Sequence, residues 1–253
     1  MFSIVIPLVK DHDAYIPKLF ATLSIEKDLI YEVIIARSQL TAKLTENFEN
    51  YVKSCASDVG LTNKVVFENS EYKQNAAQNR NAGGIRAKSE WICFLDADDE
   101  YSEYRLRYLS LIIKNYPKAN LILHSYTYKS ELSNWSMPAN LKKSIDQVEA
   151  ETQDFSENKE SKNSNLTVPL ENTGKNRIHH GHITVKKKVF QETKFLIDRP
   201  GREDGLFCKV VLSKYGNVKY FPLPLSIYNV ERSATNKSPY KRLMEKFSKF
   251  FQK

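Results

Sequence analysis

Four acids crowd into the stretch Asp96-Ala97-Asp98-Asp99-Glu100, directly after the apolar run Trp91 to Leu95. Unpaired carboxylates at that density repel one another, so a cation is needed to offset them. A hard divalent ion suits such a set, held by one or two carboxylates and completed by phosphate oxygens and water. The same acids also read as a solvated turn ahead of the helix that Ser102 would cap. A second acidic pair, Glu203-Asp204, follows Gly201-Arg202 and opens a helical run beginning at Leu206. Acids in a first turn favour the helix macrodipole whether or not they do chemistry. His179, His180 and His182 form a third group, just before an apolar stretch, and imidazoles so close together read either as a site or as ordinary surface and core histidines.

Strand and helix patterns alternate around these groups. Phe2 to Pro7 is a short β-branched run closed by proline, and Ile16, Leu19, Phe20 and Leu23 follow at helical offsets with Pro17 in the first turn. Residues 32–36 predict a second strand, and Leu40 to Val59 a second helix that Gly60 ends. A third strand is expected at 64–67, a third helix at 74–88 and a fourth strand at 91–95. Ser102 then caps a helix to Tyr116, ahead of a strand at 120–126. Residues 142–177 are polar and charged, which predicts a long loop or lid. A strand at 182–185, a helix at 205–215 and a strand at 218–221 complete the chain, without internal repeats. Alternation of this kind argues for an α/β fold with a mostly parallel central sheet and helices on both faces. Ligands of such sheets gather beyond the carboxyl ends of the strands, where the first acidic cluster falls.

Composition narrows the classes further. The 253 residues are 41% hydrophobic and 11% aromatic with only 8 Gly and 9 Pro, which excludes disordered, collagen-like and low-complexity chains. No apolar run approaches about 18 residues and Met1 to Ile4 lacks the basic start of a signal peptide, so the expected location is cytoplasmic. Cys55, Cys93 and Cys208 have neither pairing nor zinc spacing and read as buried free thiols. A net charge of +8 fits nucleic acid, an anionic membrane or a phosphorylated substrate.

The region from Asn75 to Asp99 carries more than acids. Arg80-Asn81 lies in a helical stretch, Ala87-Lys88-Ser89-Glu90 follows, and Leu95 to Asp99 ends a strand. In that order these segments resemble the nucleotide-sugar-binding half of family-2 glycosyltransferases with the GT-A fold, with serine where glycine is usual. The resemblance is good from Ser3 to Tyr126 and looser beyond. It implies an inverting, metal-dependent enzyme that transfers a sugar from a nucleoside-diphosphate sugar to a hydroxyl of a saccharide or lipid-linked saccharide, in the synthesis of surface polysaccharide or lipopolysaccharide. It further implies that Asp98 ligates Mn2+ or Mg2+, and that Asp96 contacts the ribose, the metal or its water, with Asp99 behind them. Such an ion bridges both phosphates and neutralises charge on the departing diphosphate. Arg80 would reach the same diphosphate, as guanidinium groups do, unless it is a surface arginine paired with Glu90 or Asp96. In the family a Glu-Asp pair at the position of Glu203-Asp204 supplies the base, here Asp204, which takes the acceptor proton while Glu203 orients it or binds acceptor. In the wider GT-A superfamily a histidine sometimes completes the metal site; the family-2 pattern fixes none at this place, and His182 is the candidate here, with an ordinary surface or core histidine as the alternative.

Two departures from the family pattern stand out. The second strand ends Ala36-Arg37-Ser38, without the aspartates that read the nucleotide base. Nucleotide recognition then falls to Pro7 and the loop Leu8 to His12, Asp11 included, with uridine the default base. Tyr228 to Ser233 occupies the place of a basic loop that closes over the diphosphate, where Arg232 would act or else face water.

The expected organisation is one GT-A domain over 1–236, with a nucleotide-sugar half at 1–126, the polar loop at 142–177 and an acceptor half at 178–236, then a basic amphipathic tail at 237–253. In the tail Tyr240, Leu243, Met244, Phe247, Phe250 and Phe251 share a helical face, while six cations oppose the single acid Glu245. Apolar insertion would hold such a helix on the cytoplasmic face of a membrane and its charge would select an anionic surface; packing on its own domain is the alternative. With so much of the basic excess in the tail, nucleic acid is not an expected partner. A nucleotidyltransferase would need glycines after the first strand, and there are none. The alternatives are a non-catalytic relative that only binds sugar nucleotides, or a basic nucleic-acid-binding module.

Overall fold

The computed structural model describes residues 1–128, 153–154, 178–199 and 201–229. The described strands are β1 (Phe2–Leu8), β2 (Ile30–Ser38), β3 (Val65–Ser70), β4 (Trp91–Phe94), β5 (Glu100–Tyr101), β6 (Leu121–Tyr128), β7 (Gln153–Asp154), β8 (Thr184–Lys186) and β9 (Val218–Tyr228). The α-helices are α1 (Ile16–Ser24), α2 (Ala42–Ser57), α3 (Ala76–Arg86), α4 (Arg105–Asn115), α5 (Lys187–Thr193) and α6 (Glu203–Tyr215). They form one mixed sheet in the order β3-β2-β1-β4-β8-β6-β9-β5, with β7 added on β9.

Strands β1 to β4 pair in parallel, and β8 runs antiparallel between β4 and β6. Because β6 and β9 are parallel to each other, β4, β6 and β9 all end at the same edge and the segment before β8 enters there. Every group of the acidic and histidine clusters is therefore delivered to one edge of the sheet, as the carboxyl-end rule requires.

Two apolar layers cover the sheet. Alternate side chains of β1 point opposite ways: Ile4, Ile6 and Leu8 join α1, α2 and α4 on one face, and Val5 joins α3, α5 and α6 on the other. Strand β1 is buried on both faces, which explains its unbroken apolar run. Helix α3 lies close against the sheet at Gly83 and against α5 at Gly84, where a Cβ would overlap Val5 and the Phe190 ring respectively. Its start is fixed by a reciprocal capping box between Asn75 and Gln78.

Several boundaries differ from the sequence expectation. Ser102 does not cap α4; its hydroxyl donates to Pro224 O, and the carboxylate of Glu26 accepts the Leu106 and Arg107 amides instead. Strand β9 runs on to Tyr228 through Pro222 and Pro224, its pairing with β6 shifting register at Ser125 to absorb them. The strand expected at 182–185 begins at Thr184, with a 3-10 turn at His180–His182 before it. Within the expected loop, Gln153–Asp154 pairs with β9, and the rest of 142–177 lies outside the described residues, as does the tail. Cys93 and Cys208 are buried free thiols, whereas Cys55 is part-exposed. Among the described residues no helix is long and apolar enough to cross a membrane.

Candidate active site

Beyond β4 the chain turns sharply, the Asp99 amide donating to Asp96 O at 3.1 Å. This turn brings Asp96, Asp98 and Asp99 to the wall of a cavity of about 310 Å³, Asp99 being the most buried of the three. Asp99 is anchored on two sides. Its Oδ1 accepts the Asn229 amide at the end of β9, at 2.8 Å, and its Oδ2 bonds His179 Nε2 at 2.9 Å. Helix α3 contributes Arg80 from its second turn. Though 80 and 203 are far apart in sequence, its guanidinium spans Asp96 Oδ1 at 2.6 Å and Glu203 Oε1 at 3.1 Å, over the Phe195 ring. The first turn of α6 brings Glu203 and Asp204, with Asp204 Oδ1 accepting the Gly205 amide at 2.7 Å. Tyr126 from β6 and Tyr228 from β9 form an aromatic wall of the same cavity.

Negative charge dominates this space. Burial, followed by the neighbouring charges of Asp96 and Asp99, pushes the Asp98 carboxyl up to about 7. Asp96 is also raised, by burial first, while Arg80 pulls the other way and Asp99 adds to the rise. Arg80 moves up: burial alone would lower it, but Asp96, Asp204 and Glu203 outweigh that cost. Five carboxylates thus face one guanidinium, and Glu203 Oε2 is buried with no hydrogen-bond partner among the described residues. Such a set fits a hard divalent cation on Asp98 and Asp96. A second donor group, Asp99, His179 and His182, has its atoms within 4.8 Å of one another. Its two imidazoles suit a transition metal such as manganese better than magnesium, but His182 Nε2 already accepts the Asp96 amide at 3.0 Å.

The structure brings together Arg80, Asp96, Asp98, Glu203 and Asp204 around one cavity. Arg80 is buried and pairs with Asp96 and Glu203, not with Glu90. His182 is close by but fully buried, and it is not among the lining residues. Burial first, then the positive neighbours, lowers its pKa well below the ordinary imidazole value. His179, three residues earlier, is the histidine that reaches the cavity together with His180. Only the cluster, and not the choice within it, can be read from residue order. Pro7 lies buried in β1 beside Ala36 of β2 and does not line the cavity. The side chain of Asp11, and the whole of Arg232, lie outside the described residues. At the end of β2, Arg37 binds Asp13 through Nε at 2.9 Å and Nη2 at 3.1 Å, so a carboxylate stands there after all, supplied from the first loop.

The sequence model described as glycosyl transferase family 2 matches residues 3–192. An uncharacterized glycosyltransferase of Haemophilus influenzae is 28% identical over 134 residues, covering 49% of this chain and 38% of that protein. Among solved structures, Staphylococcus aureus TarS 1–349 in complex with UDP-GlcNAc is similar with a TM-score of 0.57 and 15% identity, over 94% of this chain and 61% of that one. The mannosyltransferase PcManGT of Pyrobaculum calidifontis, in complex with GDP-Man and Mn2+, gives 0.60 and 12%, over 100% and 64%. The chain therefore spans less than two thirds of the length of each of these proteins. The shared fold is GT-A, and the chain belongs to glycosyl transferase family 2.

Proposed function

We propose that the chain is an inverting, divalent-metal-dependent transferase that moves a sugar from a nucleoside-diphosphate sugar onto a hydroxyl of a saccharide, free or lipid-linked, in building a surface polysaccharide. The observation that carries this reading is the convergence of Asp96, Asp98, Arg80, Glu203 and Asp204 on one cavity, from three separate stretches of chain. UDP-GlcNAc and GDP-Man in the related structures support a sugar nucleotide as donor, with UDP the default nucleotide.

Asp98 and Asp96 would hold the metal ion. When bound, it would offset the charge that grows on the diphosphate as the glycosidic bond breaks. Arg80 is the cation that this chain itself supplies, and it fixes Asp96 and Glu203 in one frame. Asp204 is the proposed base: it takes the acceptor proton as the oxygen attacks from the face opposite the diphosphate, inverting the anomeric centre. The unpartnered Glu203 Oε2 is suited to accept a substrate hydroxyl.

A donor panel tests the proposal. Release of nucleoside diphosphate from one sugar nucleotide, dependent on Mn2+ or Mg2+ and on a saccharide acceptor, is expected; no release from any donor would refute it. The tail at 237–253 is proposed to seat the enzyme on anionic membranes. Sedimentation with vesicles rich in anionic lipid should then be lost on truncation after residue 236.

A further inference from the structure

We infer that His182 is a positioning residue: it sets the shape of the Asp96–Asp99 turn by accepting the Asp96 amide, and Arg105 holds it in place. The inference rests on reading that turn as the metal and diphosphate site.

The hydrogen bonds determine the state of the ring. The Asp96 N–H donates to His182 Nε2 at 3.0 Å, so Nε2 must carry a lone pair. The ring proton then sits on Nδ1, which donates to Ser226 Oγ at 2.7 Å. Both nitrogens are spent on the protein itself. The ring is fully buried, stacked on His179 at 3.8 Å and edge-on to Tyr101 at 5.7 Å, so it has no room to turn toward the cavity.

Arg105, the first residue of α4, is fully buried and has no carboxylate within ion-pair distance among the described residues. Burying a guanidinium without an acid is costly unless its donors are fully used. Its two Nη groups donate to residues that frame His182, while Nε is buried with no hydrogen-bond partner among the described residues. Nη2 donates to His182 O at 2.7 Å and weakly to Thr184 Oγ1; Nη1 donates to Ser226 Oγ at 3.1 Å and meets His124 Nε2. Below it the Tyr101 ring lies 4.0 Å away, and the Tyr101 hydroxyl donates to Phe94 O at the end of β4. A rigid planar fork therefore connects α4, β8 and β9 to the one imidazole that holds the Asp96 amide. Movement of that ring would carry Asp96 and Asp98 with it.

The test separates positioning from ligation. His182→Gln keeps an acceptor near the place of Nε2, His182→Leu removes it, and Ser226→Ala removes the Nδ1 partner together with one acceptor of Arg105 while leaving Nε2 in place. Hydrogen exchange on metal-free protein should show the Asp96 amide opening at least about tenfold faster in His182→Leu, faster in Ser226→Ala, and within about threefold of wild type in His182→Gln, all with native circular dichroism. Nitrogen-14 spin-echo modulation of bound Mn2+ should be the same in wild type and His182→Gln. Loss of that modulation in His182→Gln would make His182 a ligand and overturn the inference; wild-type exchange in His182→Leu would overturn it too. Should wild-type protein bind no Mn2+ while His182→Leu still loses protection, the positioning role stands and the metal reading falls.

Discussion

Removing one charge from the cavity should stabilise the metal-free protein, by an amount that depends on pH. The Asp98 carboxyl is held up at about 7 in the fold, against an ordinary value of 3.8. The folded chain binds that proton more tightly than the unfolded one, so its contribution is most favourable below the unfolded value and is lost as pH rises through about 7. A shift of about three units is worth roughly 4 kcal/mol at 1.36 kcal/mol per unit. Asp98 is only half-buried, and solvent screening reduces this to about 2 kcal/mol. Asp98→Asn keeps the shape without the charge. In EDTA-treated protein it should exceed wild type by about 2 kcal/mol at pH 8 and by less than about 1 kcal/mol at pH 5, read from urea denaturation. His124 and His182, both held well down chiefly by burial, titrate alike in the two proteins and cancel in the difference. Saturating Mn2+ should reverse the order, since about 2.7 kcal/mol accrues to wild type at a hundredfold excess over Kd. A variant less stable than wild type at pH 8 without metal, or a difference independent of pH, would refute the reasoning.

Arg80→Met strands Asp96 and Glu203 without their cation and should cost about 3–5 kcal/mol in urea denaturation. Gly181→Ala places a methyl against Asp96 Oδ2 and should lower transfer rates by up to about a hundredfold in a steady-state assay while the fold persists. Gly205→Ala is its control: nothing lies within 4 Å of the added Cβ, so the melting temperature should rise slightly, by about 0.5 kcal/mol of stability, through helix propensity. Gly84→Ala gains about 1 kcal/mol in propensity but meets the Phe190 ring; overpacking of about 1–3 kcal/mol should make it a net loss that Phe190→Leu relieves in the double variant.

The first four strands and three helices were legible because each is a local pattern: a β-branched run, a 3.6-residue stripe, a Gly or Pro stop. The acidic turn was legible for the same reason, since its spacing and the strand before it are local. What escaped depends on partners distant in sequence. Glu26 caps α4 from 80 residues upstream, and no pattern near Ser102 announces it. Arg80 reads as one more helix arginine until Glu203, 123 residues on, is folded against it. Pro222 looks like the end of a strand, yet β6 absorbs it by a register shift. Among the histidines, the 3-10 turn at 180–182 decides that His179 faces the cavity and His182 the interior, a distinction that residue spacing does not carry. Arg37 reads as a lost base contact in sequence, whereas the fold pairs it with Asp13.

Binding of UDP by calorimetry, with and without Mn2+, in wild type and in Asp98→Ala tests the central claim most directly. A cation held at the exit of β4 predicts that Mn2+ strengthens UDP binding to wild type at least about tenfold, or about 1.4 kcal/mol, and leaves Asp98→Ala unchanged. Equal strengthening in both proteins, or none in either, would contradict it.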